Sequence, residues 1–205
     1  MNEKIKELIL EEMKKAYNNH FLIVEFHSRR RGTYGAQLTS GAGLEENISV
    51  YLSTNWLGNK VKKIKDDYIF CVRNRDIMFY IDELVRPYMK EEYKVLFVPL
   101  SMYDTGTYNH AIPVNNILQK LGEWDEFLIT TQGEITQEAM EQLACELDRQ
   151  NFKFGVEISA KVNEEVYSII EQTYFDEHEP YEIGKQYCDI QYDNGKHDIV
   201  QFSSE

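Results

Sequence analysis

Cysteine is scarce in this 205-residue chain: Cys71, Cys145 and Cys188 are odd in number, far apart and never in Cys-x-x-Cys spacing. That pattern argues against a disulfide framework and a zinc site, and it suits a reducing, cytoplasmic compartment. Cys71 and Cys145 fall within apolar patterns and read as buried thiols. No apolar run approaches the ~18 residues of a membrane span. The opening Met1-Asn2-Glu3-Lys4-Ile5-Lys6-Glu7 is charged where a signal peptide needs its apolar stretch. With four prolines and no Pro/Gly/Ser-rich linker, nothing obvious divides the chain. The expectation is one domain over 1–205, weakest at 101–111.

Basic residues are the other scarcity, and they are scarce unevenly. Residues 1–122 carry 17 Lys/Arg against 15 Asp/Glu, a balance of +2, whereas 123–205 carry 5 against 20, a balance of −15. The sum is the formal charge of −13. A field of that sign repels nucleic-acid phosphate and attracts basic surfaces. With 42% apolar and 28% charged residues the composition is otherwise globular.

Ile5, Leu8, Ile9, Met13, Ala16 and Tyr17 repeat at helical spacing and predict a first helix. Phe21–Phe26 reads as a strand, His27–Gly35 as a basic, turn-rich connection, and Ile48–Leu52 as a second strand. Lys60, Lys62, Lys63 and Lys65 then precede an expected third strand, Tyr68–Val72. Asp76 caps a helix carrying Ile77, Tyr80, Ile81, Leu84, Val85 and Tyr88. Tyr93–Leu100 is a strand, a short helix follows Pro113, and Phe127–Thr130 is the next strand. Thr136 caps another helix, Phe152–Ile158 is a strand, and Asn163 caps a further helix. Asn194-Gly195 between two alternating runs is a strong hairpin signal. The strand–helix alternation after residue 66 favours parallel βαβ pairing, and the ends favour antiparallel additions. The expected fold is α/β of the mixed α+β kind: a mixed sheet with an N-terminal helix, central βαβ units and a C-terminal β-hairpin.

Motifs with chemistry are few. Asp104-Thr105-Gly106-Thr107 resembles the active-site signature of aspartic proteases, in which two Asp share a proton. There is no second matching segment and no bracing apolar-apolar-Gly strand, so a Thr-Gly turn accounts for these residues. His20, His27, His110, His178 and His197 never fall three or four apart, and no HExxH, P-loop, Gly-x-Ser-x-Gly or Gly-x-Gly-x-x-Gly pattern occurs. The opening α-β-β-β-α order resembles that of restriction-like nucleases, without their Asp and Glu-x-Lys residues. Arg29, Arg30 and Arg31, beside the lysines at 60–65, are candidates for holding a phosphate or an acidic partner.

The sequence thus leans away from an enzyme and names no catalytic residue, cofactor or metal ligand. It suggests an acidic intracellular protein of the inhibitor, immunity or antitoxin type, without direct nucleic-acid or membrane binding. Its partner would have a basic surface, such as that of a toxin or a nucleic-acid-acting enzyme. Asp176, Glu177, Glu179 and Glu182 are the candidate partner-binding residues. The alternative is a small enzyme or ligand-binding domain using loops 27–35 and 103–110.

Overall fold

The computed structural model describes residues 2–30, 32–40, 47–55, 60–98, 101–107, 111–170 and 179–204. The chain divides into two compact units: Met1–Asn74 with Met102–Ile112, and Arg75–Ser101 with Pro113–Glu205. Among the described residues no helix is long and apolar enough to cross a membrane.

In the first unit, helix α1 (Asn2–Tyr17) buries Ile5, Ile9 and Met13. These join a core with one face of an antiparallel sheet. Its strands are β1 (Phe21–Arg30), β2 (Thr33–Ser40), β3 (Ile48–Thr54) and β4 (Val61–Asp66). A short later strand at Tyr103–Asp104 (called β6 below) completes the order β1-β2-β3-β4-β6. The period-2 pattern decides which face is which: Tyr34, Ala36 and Leu38 of β2 and Ile48, Val50 and Leu52 of β3 are buried. The larger aliphatic ones, Leu38, Ile48, Val50 and Leu52, contribute about 1.5–3 kcal/mol each. The residues between them, Gly35, Gln37, Ser49 and Tyr51, point to the opposite, outer face.

Two expectations change here. The stretch His27–Gly35 is not a loop. His27 pairs with Gly35 and Ser28 with Tyr34 in a β1–β2 hairpin, bulged at Ser28/Arg30, and Gly32 has φ +79°. Its polar residues gave no apolar alternation because they face outward or lie on the edge. Nor is Tyr68–Val72 a strand; it opens helix α2 (Tyr68–Val85). A short apolar run such as YIFCV suits either element, and capping decides it. The Asp66 carboxylate accepts from Tyr68 N at 3.0 Å, and the Asp67 carbonyl accepts from Phe70 N at 2.9 Å. The chain passes from the first unit to the second within α2.

In the second unit, α2 ends in a 3-10 turn (Arg86–Tyr88) and strand β5 follows (Tyr93–Val98). After β6 in the chain come α3 (Val114–Leu118), β7 (Glu126–Thr131), α4 (Gln137–Arg149), β8 (Gly155–Ala160) and α5 (Glu164–Ile169). A helical turn α6 (Pro180–Ile183), β9 (Gln186–Asp193) and β10 (Lys196–Ser204) complete the unit. The sheet order is β10-β9-β8-β7-β5. β7 and β8 are parallel, making β7–α4–β8 a βαβ unit, and every other pair is antiparallel. The fold class is therefore α+β, with an N-terminal helix and a C-terminal hairpin, and the strands form two sheets rather than one.

Two of the three predicted caps are in place; Asp76 instead lies inside α2, because that helix starts eight residues earlier, at Tyr68. Thr136 accepts from Ala139 N at 3.3 Å, and Asn163 accepts from Val166 N at 2.8 Å. β8 starts at Gly155 rather than Phe152, since Phe152 N still bonds the helical carbonyl of Leu147 and Asn151 has φ +57°. Phe152 and Phe154 are buried instead, Phe154 packing edge-on to Phe127. One face of this sheet, marked by Cys188, Ile190 and His197, lies toward α4, since the His197 ring reaches Asp148. The other lies toward α6, where Ser159 donates to the Pro180 carbonyl and Tyr181 packs on Tyr187.

Candidate functional site

The α6-facing side of the second sheet carries three carboxylates on three neighbouring strands. Glu157 of β8 stands directly opposite Asp189 of β9, and Glu126 of β7 pairs with Gly155, two residues before Glu157. Successive β residues alternate faces, so Glu126, Glu157, Tyr187, Asp189 and Gln191 share this one. None of the three carboxylates forms an ion pair among the described residues. Lys94, a cation on the same face, is turned to the Tyr167 carbonyl and ring.

Electrostatics follows from that crowding. Burial, then the charge of Glu126, pushes the Glu157 carboxyl up to about 7; Asp189 and Glu179 add to the rise and a hydrogen bond from Tyr187 opposes it. Asp189 is raised by burial, as is Glu126, where Asp189 and Asp125 contribute further. Asp189 is 9% exposed; its Oδ2 accepts from Gln191 Nε2 at 2.9 Å, while its buried Oδ1 has no hydrogen-bond partner among the described residues. Like charges opposite one another across strands are unfavourable, so a cation brought here would relieve a standing cost. Among the described residues no group of three or more His, Cys, Asp or Glu is placed to hold a metal ion. The carboxylates are spread along a row rather than converging on a point.

Of the predicted partner-binding residues, Glu179 and Glu182 are exposed at the start of α6. Glu179 belongs to the row electrostatically, through Glu157. Asp176 and Glu177 lie outside the described residues. Glu126, Glu157 and Asp189 were not singled out from the sequence. The available signal was a carboxylate at alternate positions of two otherwise apolar strands, in Phe-Gly-Val-Glu-Ile and Tyr-Cys-Asp-Ile-Gln.

The remaining candidates scatter. Arg29 lies exposed on the outer face of the first sheet, Arg30 ends β1 opposite Thr33, and Arg31 lies outside the described residues. Asp104 is exposed, 3.7 Å from Lys63. The turn after it is structural: Thr105 donates to the buried Asp66, and Gly106 N donates to the Tyr17 hydroxyl at 3.0 Å. Tyr17 in turn donates to Asp66 at 2.8 Å, joining α1, β4 and this turn through one carboxylate. The Thr105 hydroxyl and the Gly106 amide are thus engaged in joining these elements. Tyr108 and His110 lie outside the described residues. None of the three cysteines is in a disulfide; Cys188 is buried and Cys71 half-buried, but Cys145 is exposed, because it falls on the outer flank of α4, whose inward residues are Met140, Leu143, Ala144 and Leu147.

No protein-family model matches the chain, and no curated protein matches it. Among solved structures it is similar to the crystal structure of a DUF5037 family protein from Ruminococcus gnavus ATCC 29149, with 11% identity, 93% of this chain and 94% of that chain covered, and a TM-score of 0.43.

Proposed function

We propose that the chain is an intracellular binding protein of the inhibitor or immunity type, which captures a partner protein through a basic surface. The observation that carries this reading is the carboxylate row Glu126, Glu157 and Asp189, without an ion pair among the described residues, and with Glu179 beside it. The charge distribution supports it: the first unit holds 12 Lys/Arg and 10 Asp/Glu (+2), the second 10 and 25 (−15). A basic partner neutralises a row that is costly in the free protein, and the wider field of the unit steers its approach. Steering of this kind raises association rates by about 10–1000-fold at low salt.

The test uses the wild type and a Glu126→Gln, Glu157→Gln, Glu179→Gln variant as paired baits in the native cell extract. A basic protein retained by the first and lost from the second is the expected result. Its association rate, measured from 50 to 300 mM salt, should fall and lose salt dependence in the variant. A partner captured equally by both baits, with equal salt slopes, would remove the acidic face from the interaction.

A further inference from the structure

We infer that the outer face of the first sheet is a binding site for a small phosphate-bearing anion, seated over Gly35. This site is on a different unit from the acidic row and has the opposite electrostatic character. Four strands contribute to one row in register: His27 of β1, Gly35 of β2, Tyr51 of β3 and Lys65 of β4. At a strand spacing of about 4.8 Å, His27 and Tyr51 stand roughly 10 Å apart across a residue that has no side chain. The result is a hollow of about 210 Å³ lined by His27, Arg29, Gly35, Gln37, Ser49 and Tyr51 among others.

Arg29 borders the empty space, since a Cβ placed on Gly35 would come within 3.7 Å of its Nε. Among the described residues Arg29 and Lys65 make no ion pair. The carboxylates bordering this row are Glu25, 3.1 Å from His27 Nε2, and Asp104, 3.7 Å from Lys63 Nζ and opposite Lys65 on the neighbouring strand; neither lines the hollow. A guanidinium fork grips phosphate with two parallel hydrogen bonds, and an ammonium adds a point charge. The hollow is smaller than the ~300–1,000 Å³ of a drug-sized ligand pocket, so it takes the anionic head while any remainder stays in solvent.

The test is a 15N–1H titration of the full chain with inorganic phosphate at constant ionic strength, repeated with glycerol phosphate to distinguish free from esterified phosphate. Saturable shifts confined to the neighbourhood of 27, 29, 35, 51 and 65 are expected with one or both ligands. Arg29→Gln should weaken binding at least tenfold. Gly35→Val, a residue type favoured in strands, should fill the hollow and abolish saturation while the melting temperature holds. If Gly35→Val fails to fold, Gly35→Ala takes its place, because its Cβ meets Arg29 only at ordinary contact distance. Shifts that never saturate, or saturation that survives both Arg29→Gln and the Gly35 substitution, would overturn the assignment.

Discussion

The His197 side chain is fully buried, with Nδ1 2.6 Å from Asp148 Oδ1 and Nε2 3.0 Å from the Phe154 carbonyl. Its backbone N also donates to Asp148, at 2.8 Å. Both ring nitrogens face acceptors, so one imidazole joins α4, the approach to β8 and the start of β10. His197→Leu removes both ring contacts, and an orphaned buried polar group costs about 1–3 kcal/mol. The urea midpoint should drop accordingly, and an unchanged midpoint would show that these contacts add nothing to stability. Glu157 acts in the opposite sense. Its folded value of about 7 lies above the unfolded ~4.3, so the native state holds a proton that the unfolded chain releases within that window. Stability from this group is greatest below the window and falls as pH rises through it. Asp67, pushed up by burial to about 6, adds a change of the same sign. Glu157→Gln should therefore raise the urea midpoint at pH 8 and leave it unmoved at pH 4; equal shifts at both would refute the assignment.

Among the elements, those marked by local chemistry were legible in the sequence. Thr136 and Asn163 cap where their side chains said they would, and Asn194 (φ +50°) and Gly195 (φ +95°) turn the β9–β10 hairpin with Asp193 paired to Lys196. An L residue in the left-handed region costs about 1–2 kcal/mol. Gly195→Val, which is β-branched, should lower the thermal midpoint measurably; with nothing within 4 Å of its Cβ, any loss comes from backbone strain alone. An unaltered midpoint would mean that the turn relaxes freely. Elements whose identity depends on distant partners were not legible. YIFCV became helical because Asp66 and Asp67 cap it, and Asp66 is held in turn by Tyr17 and Thr105, 49 and 39 residues away. The acidic row escaped for the same reason. Glu126, Glu157 and Asp189 are far apart in sequence, and only the β7–β8–β9 register makes them neighbours.

Across the whole molecule, the division of charge seen along the chain sharpens when it is divided by structural unit. The +2 unit includes the segment Met102–Ile112, and the −15 unit includes the helical residues from Arg75 onward. Each unit thus carries its own electrostatic character: a polar hollow bordered by Arg29 in one, a crowded row of carboxylates in the other. That row has a further consequence. At neutral pH Glu157 is only partly ionised, and a guanidinium or ammonium docking beside it stabilises the charged form. Docking is then an exchange, in which a proton leaves as the cation arrives. The measured heat of association should depend on which buffer accepts that proton, differing between PIPES and Tris at pH 7 in proportion to the fraction of a proton released. Affinity should weaken as the medium is acidified from pH 8 to 6. Identical heats in the two buffers would mean that the cation settles elsewhere.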